Sequence, residues 1–239
     1  MEVLVVKMES GIIKELNNGV GGTIKGSENG ILLWQGKIEN LNNGGNIEGS
    51  NGIHGYDMEI KKFNNAGNIT SNASGQNGGV FFRISGEWAS GKIDDFTNSG
   101  LISHNNLHSN SAGVYFSGID LTNFLNDTNG VIKGSGNADG LLLSFTSSKG
   151  TSAELVSNKG QIISENNVGI RINNGANIKT LENSGTIQAG KDGILIYDIA
   201  TFSQQGITLG SIDNSGKIYA GQDGIRIGDE REAENGSIN

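Results

Sequence analysis

The sequence predicts an all-β fold, a right-handed parallel β-helix: a solenoid of about eight coils with three short strands per coil. Three observations carry this. A five-residue pattern, Asn-x-Gly-x-Ile, recurs along the chain. Aliphatic and aromatic residues flank it at strand-like spacing. No segment shows a sustained helical period.

The pattern stands at 43–47, 65–69, 98–102, 158–162, 183–187 and 214–218. Variants with another residue at the Asn position end at Ile24, Ile132 and Ile238. Its pivotal glycines are spaced 20 to 33 residues apart. A fixed motif at irregular spacing implies a constant coil with connecting loops of variable length.

Each coil holds three strand-like pieces. The first places two apolar residues three apart, as in Ile38 and Leu41, Ile60 and Phe63, or Ile178 and Leu181. The second is the Gly-x-Ile of the pattern. The third is Gly-aliphatic-x-aliphatic, as in Gly79-Val80-Phe81-Phe82 or Gly169-Ile170-Arg171-Ile172. Gly and Asn between the pieces are expected to supply the positive φ that tight corners need. One coil cannot bury its own apolar face, but a stack can. Each inward Ile or Phe then contributes roughly 1.5–3 kcal/mol. Parallel crossovers favour the right hand. A left-handed β-helix would need a strict hexapeptide period, and a calcium β-roll would need Gly-Gly-x-Gly-x-Asp nonapeptides. The sequence has neither.

Residues 1–239 read as a single β-helix domain. The start has an acidic second residue, Glu2, and a short apolar run from Val3 to Val6, unlike a signal peptide. The end begins another repeat. The expectation is a piece of a longer chain, without a signal peptide or a β-barrel of its own. Net charge is −8, with no basic cluster. That argues against nucleic acid and anionic membrane as partners. The absence of Cys excludes disulfides and thiolate metal sites. No cofactor is expected.

Stacking turns equivalent positions into ladders. The Asn position reads Asn43, Asn65, Asn98, an interruption at Thr128, then Asn158, Asn183 and Asn214. Six residues before the pivotal Gly, Glu39, Lys61 and Asp94 alternate in sign, as do Glu154 and Lys179. Such pairs are expected to be solvated cross-coil partners.

Candidate chemistry is sparse. Asp139, Asp192 and Asp223 each precede the Gly of a third piece and would share one edge of the rod. Two carboxylates at the right separation serve as general acid and base on a polysaccharide. The simpler account is an Asp-Gly turn. His104 and His108 are four apart in an Asn/Ser-rich stretch that reads as a loop, a weak metal pair, and His54 stands alone. No catalytic residue or metal site is assigned. One feature exceeds what the fold requires. The outward residue of each third piece reads Leu32, His54, Phe81, Tyr115, Leu142, Arg171, Leu195 and Arg226. An exposed apolar stripe of this length marks an interaction surface. Either a loop such as Tyr197 to Leu209, carrying Ile199 and Phe202, covers it, or it meets a partner.

The tandem Asn-Ser-Gly-x-Ile coils, each followed by Gly-Ile-x-Ile, resemble the passenger domains of bacterial type V autotransporters. The resemblance runs from about Leu16 to Ile238. It implies an extracellular or outer-membrane-surface rod on a Gram-negative bacterium, with a non-catalytic role in adhesion, virulence or spacing. Host-cell glycans and surface or matrix proteins are the partners it implies. Membrane attachment would come only through a C-terminal barrel, expected to be missing from this piece. The alternatives are a carbohydrate-active β-helix enzyme, lyase or hydrolase, and a fragment of a vacuolating-type toxin. Uncapped terminal coils would favour end-to-end association.

Overall fold

Each Asn-x-Gly-x-Ile pattern forms the corner between the first and second strands of a coil. The computed structural model describes residues 6–71, 78–86, 89–106, 110–146, 149–198 and 206–228. In the second coil the strands are Lys37–Asn43, Asn46–Gly49 and Asn51–Tyr56. Among the described residues there is no helix. The first strands form one parallel sheet of eight, and the second strands another of eight. The third strands form a sheet of nine, because Val6–Met8 precedes the first full coil. Sheet order follows chain order throughout, so eight coils stack as a right-handed parallel β-helix. Nine strands at ~4.8 Å spacing make a rod about 38 Å long.

Inward residues form columns. The second-strand isoleucines Ile24, Ile47, Ile69, Ile102, Ile132, Ile162 and Ile187 are all buried, each in register with the next. Rings fill the middle of the core. Phe63, Phe96 and Phe124 stack at 4.3 and 5.0 Å along the first sheet. Phe82 and Phe116 of the third sheet meet that stack edge-on, at 6.2 Å from Phe63 and 5.5 Å from Phe96. Both arrangements suit the ring quadrupole.

The first strands depart from simple alternation. In Lys37–Asn43, Ile38 and Leu41 are buried, while Glu39 and Asn40 between them are not. Two consecutive outward residues break the period of two and bend the strand. Glu59–Asn65 and Lys92–Asn98 bend in the same way. The three-residue apolar spacing therefore encodes a bend inside the strand.

Positive φ does occur at corners between strands, at Asn110 and Asn174 as well as at glycines, but the pivotal glycines have a different cause. Among the described glycines, positive φ occurs at Gly11, Gly21, Gly118, Gly136, Gly175 and Gly228, and at none of the pivotal ones. What the pivotal position requires is space. A Cβ on Gly67 would stand 2.1 Å from the Gly45 carbonyl oxygen of the coil below. The third-strand glycines answer to the next coil. A Cβ on Gly79 would stand 2.8 Å from Cγ2 of Ile102.

The Asn ladder is unbroken. Asn18, Asn43, Asn65, Asn98, Asn126, Asn158 and Asn183 each donate from Nδ2 to the Oδ1 of the next rung, ending at Asn214, at 2.7–2.8 Å. The fifth rung is Asn126, not an interruption at Thr128. Coils one and five carry two extra residues before the pivotal Gly. These close in tight turns, Gly22 N–H to Gly19 O at 2.9 Å and Gly130 N–H to Asp127 O at 2.7 Å. The rung keeps register with its strand rather than with the glycine. Of the charge pairs, Lys179 and Glu154 meet at 2.9 Å as expected. Asp94 instead closes on Lys92 of its own strand, at 2.6 Å, although register places it beside Lys61.

Asn98→Ala removes the Oδ1 acceptor of Asn65 Nδ2 and the Nδ2 donor to Asn126 Oδ1, two bonds of the buried ladder. It should lower the unfolding free energy by about 1–3 kcal/mol in urea titrations. Asn42→Ala cuts a parallel but more exposed amide ladder, bonded to Asn17 and Asn64. Water replaces those bonds, so the loss should be below about 1 kcal/mol. Equal losses would show that burial does not govern the ladder's contribution.

Candidate functional site

The middle residue of each third strand faces away from the core because its neighbours face in. Register places Leu32, His54, Phe81, Tyr115, Leu142, Arg171, Leu195 and Arg226 in one column, as the sequence implies. The expected exposure is not found. His54, Phe81, Leu142, Arg171 and Leu195 are all buried, and Leu32, Tyr115 and Arg226 are half-buried.

Three kinds of packing bury the column. The rings shield one another: His54 stacks on Phe81 and Phe81 on Tyr115, each at 4.7 Å. Leu195 joins Val168 and Tyr197 in a small second core outside the sheet. Arg171 is enclosed by polar partners. Tyr197 thus supplies part of the cover expected from Tyr197 to Leu209, while Ile199 and Phe202 lie outside the described residues.

Arg171 makes the densest polar cluster of the described residues. Its Nε donates to Asp139 Oδ2 at 2.7 Å and its Nη2 to Asp139 Oδ1 at 3.1 Å. Nη2 also reaches Asn167 Oδ1 at 3.1 Å, and Nη1 reaches the Tyr197 hydroxyl at 3.3 Å. Asp139 Oδ1 further accepts the Val168 N–H at 3.2 Å. Burial works against the guanidinium charge, but the Asp139 carboxylate outweighs it, and the arginine pKa is raised.

A looser copy stands two coils on. Asp192 Oδ1 accepts the Asp223 N–H at 3.1 Å, and Asp192 Oδ2 lies 3.7 Å from Arg226 Nη1. In both places an Asp-Gly corner holds the arginine of the following coil. The aspartates and arginines fall in separate sequence lists because they are more than thirty residues apart. The signal was present nonetheless, since Gly-Ile-Arg-Ile stands at 169–172 and 224–227, in each case one coil after an Asp-Gly. Asp139 and Asp192 are therefore each held by an arginine. Asp223 lies exposed.

No family model, curated protein or solved structure matches this chain. Its chemistry must be judged from its own residues.

Of the two histidines spaced four apart, only His104 falls among the described residues. His104 sits in the strand Leu101–Asn106 rather than in a loop, fully buried, with Nδ1 2.8 Å from Ser71 Oγ. His108 lies outside the described residues. Among the described residues no group of three His, Asp or Glu is placed to hold a metal ion. Burial pushes the His104 pKa down to about 4. Burial, with the nearby Arg83 charge, does the same to His54.

Arg171→Leu leaves Asp139 buried without its counter-charge and should cost about 3–5 kcal/mol of stability. The double variant Arg171→Leu/Asp139→Asn should recover part of that loss in a double-mutant cycle. Additive losses would mean that the pair is not coupled.

The histidines give a pH dependence with a defined sign. Their folded pKa of about 4 lies below the ordinary 6.5. The unfolded chain thus binds protons that the native chain refuses. Their contribution is complete above pH 6.5 and is lost as pH falls from 6.5 toward 4. Urea midpoints measured over that window should fall more steeply for the native sequence than for His104→Gln. Parallel slopes would contradict the buried neutral state of His104.

Proposed function

We propose that this chain is a non-catalytic β-helical segment of the type V autotransporter passenger kind. It is displayed on, or released from, the surface of a Gram-negative bacterium, where it serves in adhesion or virulence or as a spacer. The observation that carries this reading is the uninterrupted stack of eight like coils joined by one buried Asn ladder. Such a rod folds by adding coils to a formed edge. That mode suits a chain crossing a membrane unfolded and ordering on the far side. The absence of Cys suits the same route. The arginine partners of Asp139 and Asp192 support a non-catalytic role over a polysaccharide-cleaving one. Carboxylates engaged in this way are poorly placed to donate and accept protons on a sugar.

The test is to place the whole chain between a signal peptide and an outer-membrane β-barrel in a Gram-negative host. Intact folded chain should appear at the cell surface, detected by antibody and resistant to brief protease treatment. Retention in the periplasm would sink the proposal. A companion assay mixes the purified chain with neutral and acidic polysaccharides. No new reducing ends should form. Ends that form, and that vanish in Asp192→Asn, would make this an enzyme.

A further inference from the structure

The second sheet carries an outward column that differs from the buried one on the third sheet. In coils one to four it reads Lys25, Glu48, Thr70 and Ser103, each in register with the next. Lys25 Nζ and Glu48 Oε2 pair at 2.8 Å. The column continues to Lys133, which pairs with Glu165 at 2.8 Å. Two hydroxyl side chains thus stand between two ion pairs. The corners leading to the third strands wall this column on one side and form a cleft of about 450 Å³, within the range of ligand sites. Among the described residues no aliphatic or aromatic side chain lines it. Neither the Thr70 nor the Ser103 hydroxyl is hydrogen-bonded among the described residues.

We infer that this cleft binds a neutral oligosaccharide lying along the rod axis. The inference deepens the adhesive reading above and rests on it for where the ligand is met. The lining decides the chemistry. A wall of hydroxyl, amide, ammonium and carboxylate groups offers both donors and acceptors, as sugar hydroxyls require. Lys25 and Glu48 cancel in charge, so nothing draws in an anionic chain. The repeat decides the shape. Four side chains at ~4.8 Å spacing form a periodic row about 14 Å long. A linear chain of pyranose units, advancing by a similar step, can present one hydroxyl edge to each rung. An extended peptide gains less, because the backbone groups of this sheet interior are already paired with the coils on either side.

The experiment passes the purified whole chain over immobilised cello-, manno- and N-acetylglucosamine oligomers of two to six units. Polygalacturonate and a Ser/Gly-rich peptide serve as competing probes. At least one neutral series should retain the chain, more strongly with length up to about four units, the span of the row. Thr70→Val/Ser103→Val should weaken that retention about tenfold, through two lost hydrogen bonds, with an unchanged melting temperature. The proposal is overturned if no neutral series is retained, or if the valine variant binds as before. Retention on polygalacturonate or the peptide alone would also overturn it. Surface display without sugar retention would remove the cleft and leave the rod. Sugar retention by a chain that fails to reach the surface would do the reverse.

Discussion

Strand residues of this rod stand on their counterparts one coil below, and that axial register sets what each position tolerates. Inward positions must present surfaces that stack on copies of themselves. Isoleucine does so along the second sheet, and phenylalanine along the middle of the first. A buried polar group needs a hydrogen-bond partner, and in a stack of like coils the counterpart on the next coil is the nearest one. Asparagine satisfies this alone, with an amide donor facing one neighbour and an acceptor facing the other. The seven bonds between the eight rungs run in one direction, so their dipoles align and each bond polarises the next.

The same register explains why so much of the fold was legible. A motif that must match its own copies leaves a periodic trace, and the three strands per coil, the Ile column and most ladder rungs were visible in that trace. The errors came where register and motif part company. Asn126 lies four residues before its glycine rather than two, because a turn absorbs the extra pair. Counting from the glycine lost the rung, whereas counting from Phe124 would have kept it. The repeat glycines looked like conformational devices. They are steric ones, needed because the carbonyl of one coil and an isoleucine of another occupy the space of a side chain.

The outer face of the third sheet was the least legible part. Alternation told which residues leave the core, but not whether they reach water. A side chain of Phe81's size, flanked by rings on adjacent coils, loses most of its exposure to them alone. The arginines mislead in another way. On a single strand Arg171 is an outward charge. Across coils it is the counter-ion of Asp139 and a donor to Tyr197. A buried pair of this kind adds little net stability over an apolar pair, yet it penalises any misalignment heavily. It acts here as a register lock on a face where leucines would slide.

Coil-to-coil variation is therefore confined to places that register does not police: the loops between strands, and outward columns short of covering groups. The two outer columns show the contrast. On the third sheet, rings and arginines fill the column and close it off. On the second sheet, coils one to four carry Thr70 and Ser103 where bulk is equally permitted. Small hydroxyl residues add little to packing there, and ion pairs flank them, Lys25 with Glu48 and Lys133 with Glu165. A rod needs neither feature in order to stack. A surface that must recognise a repeating polar chain needs both.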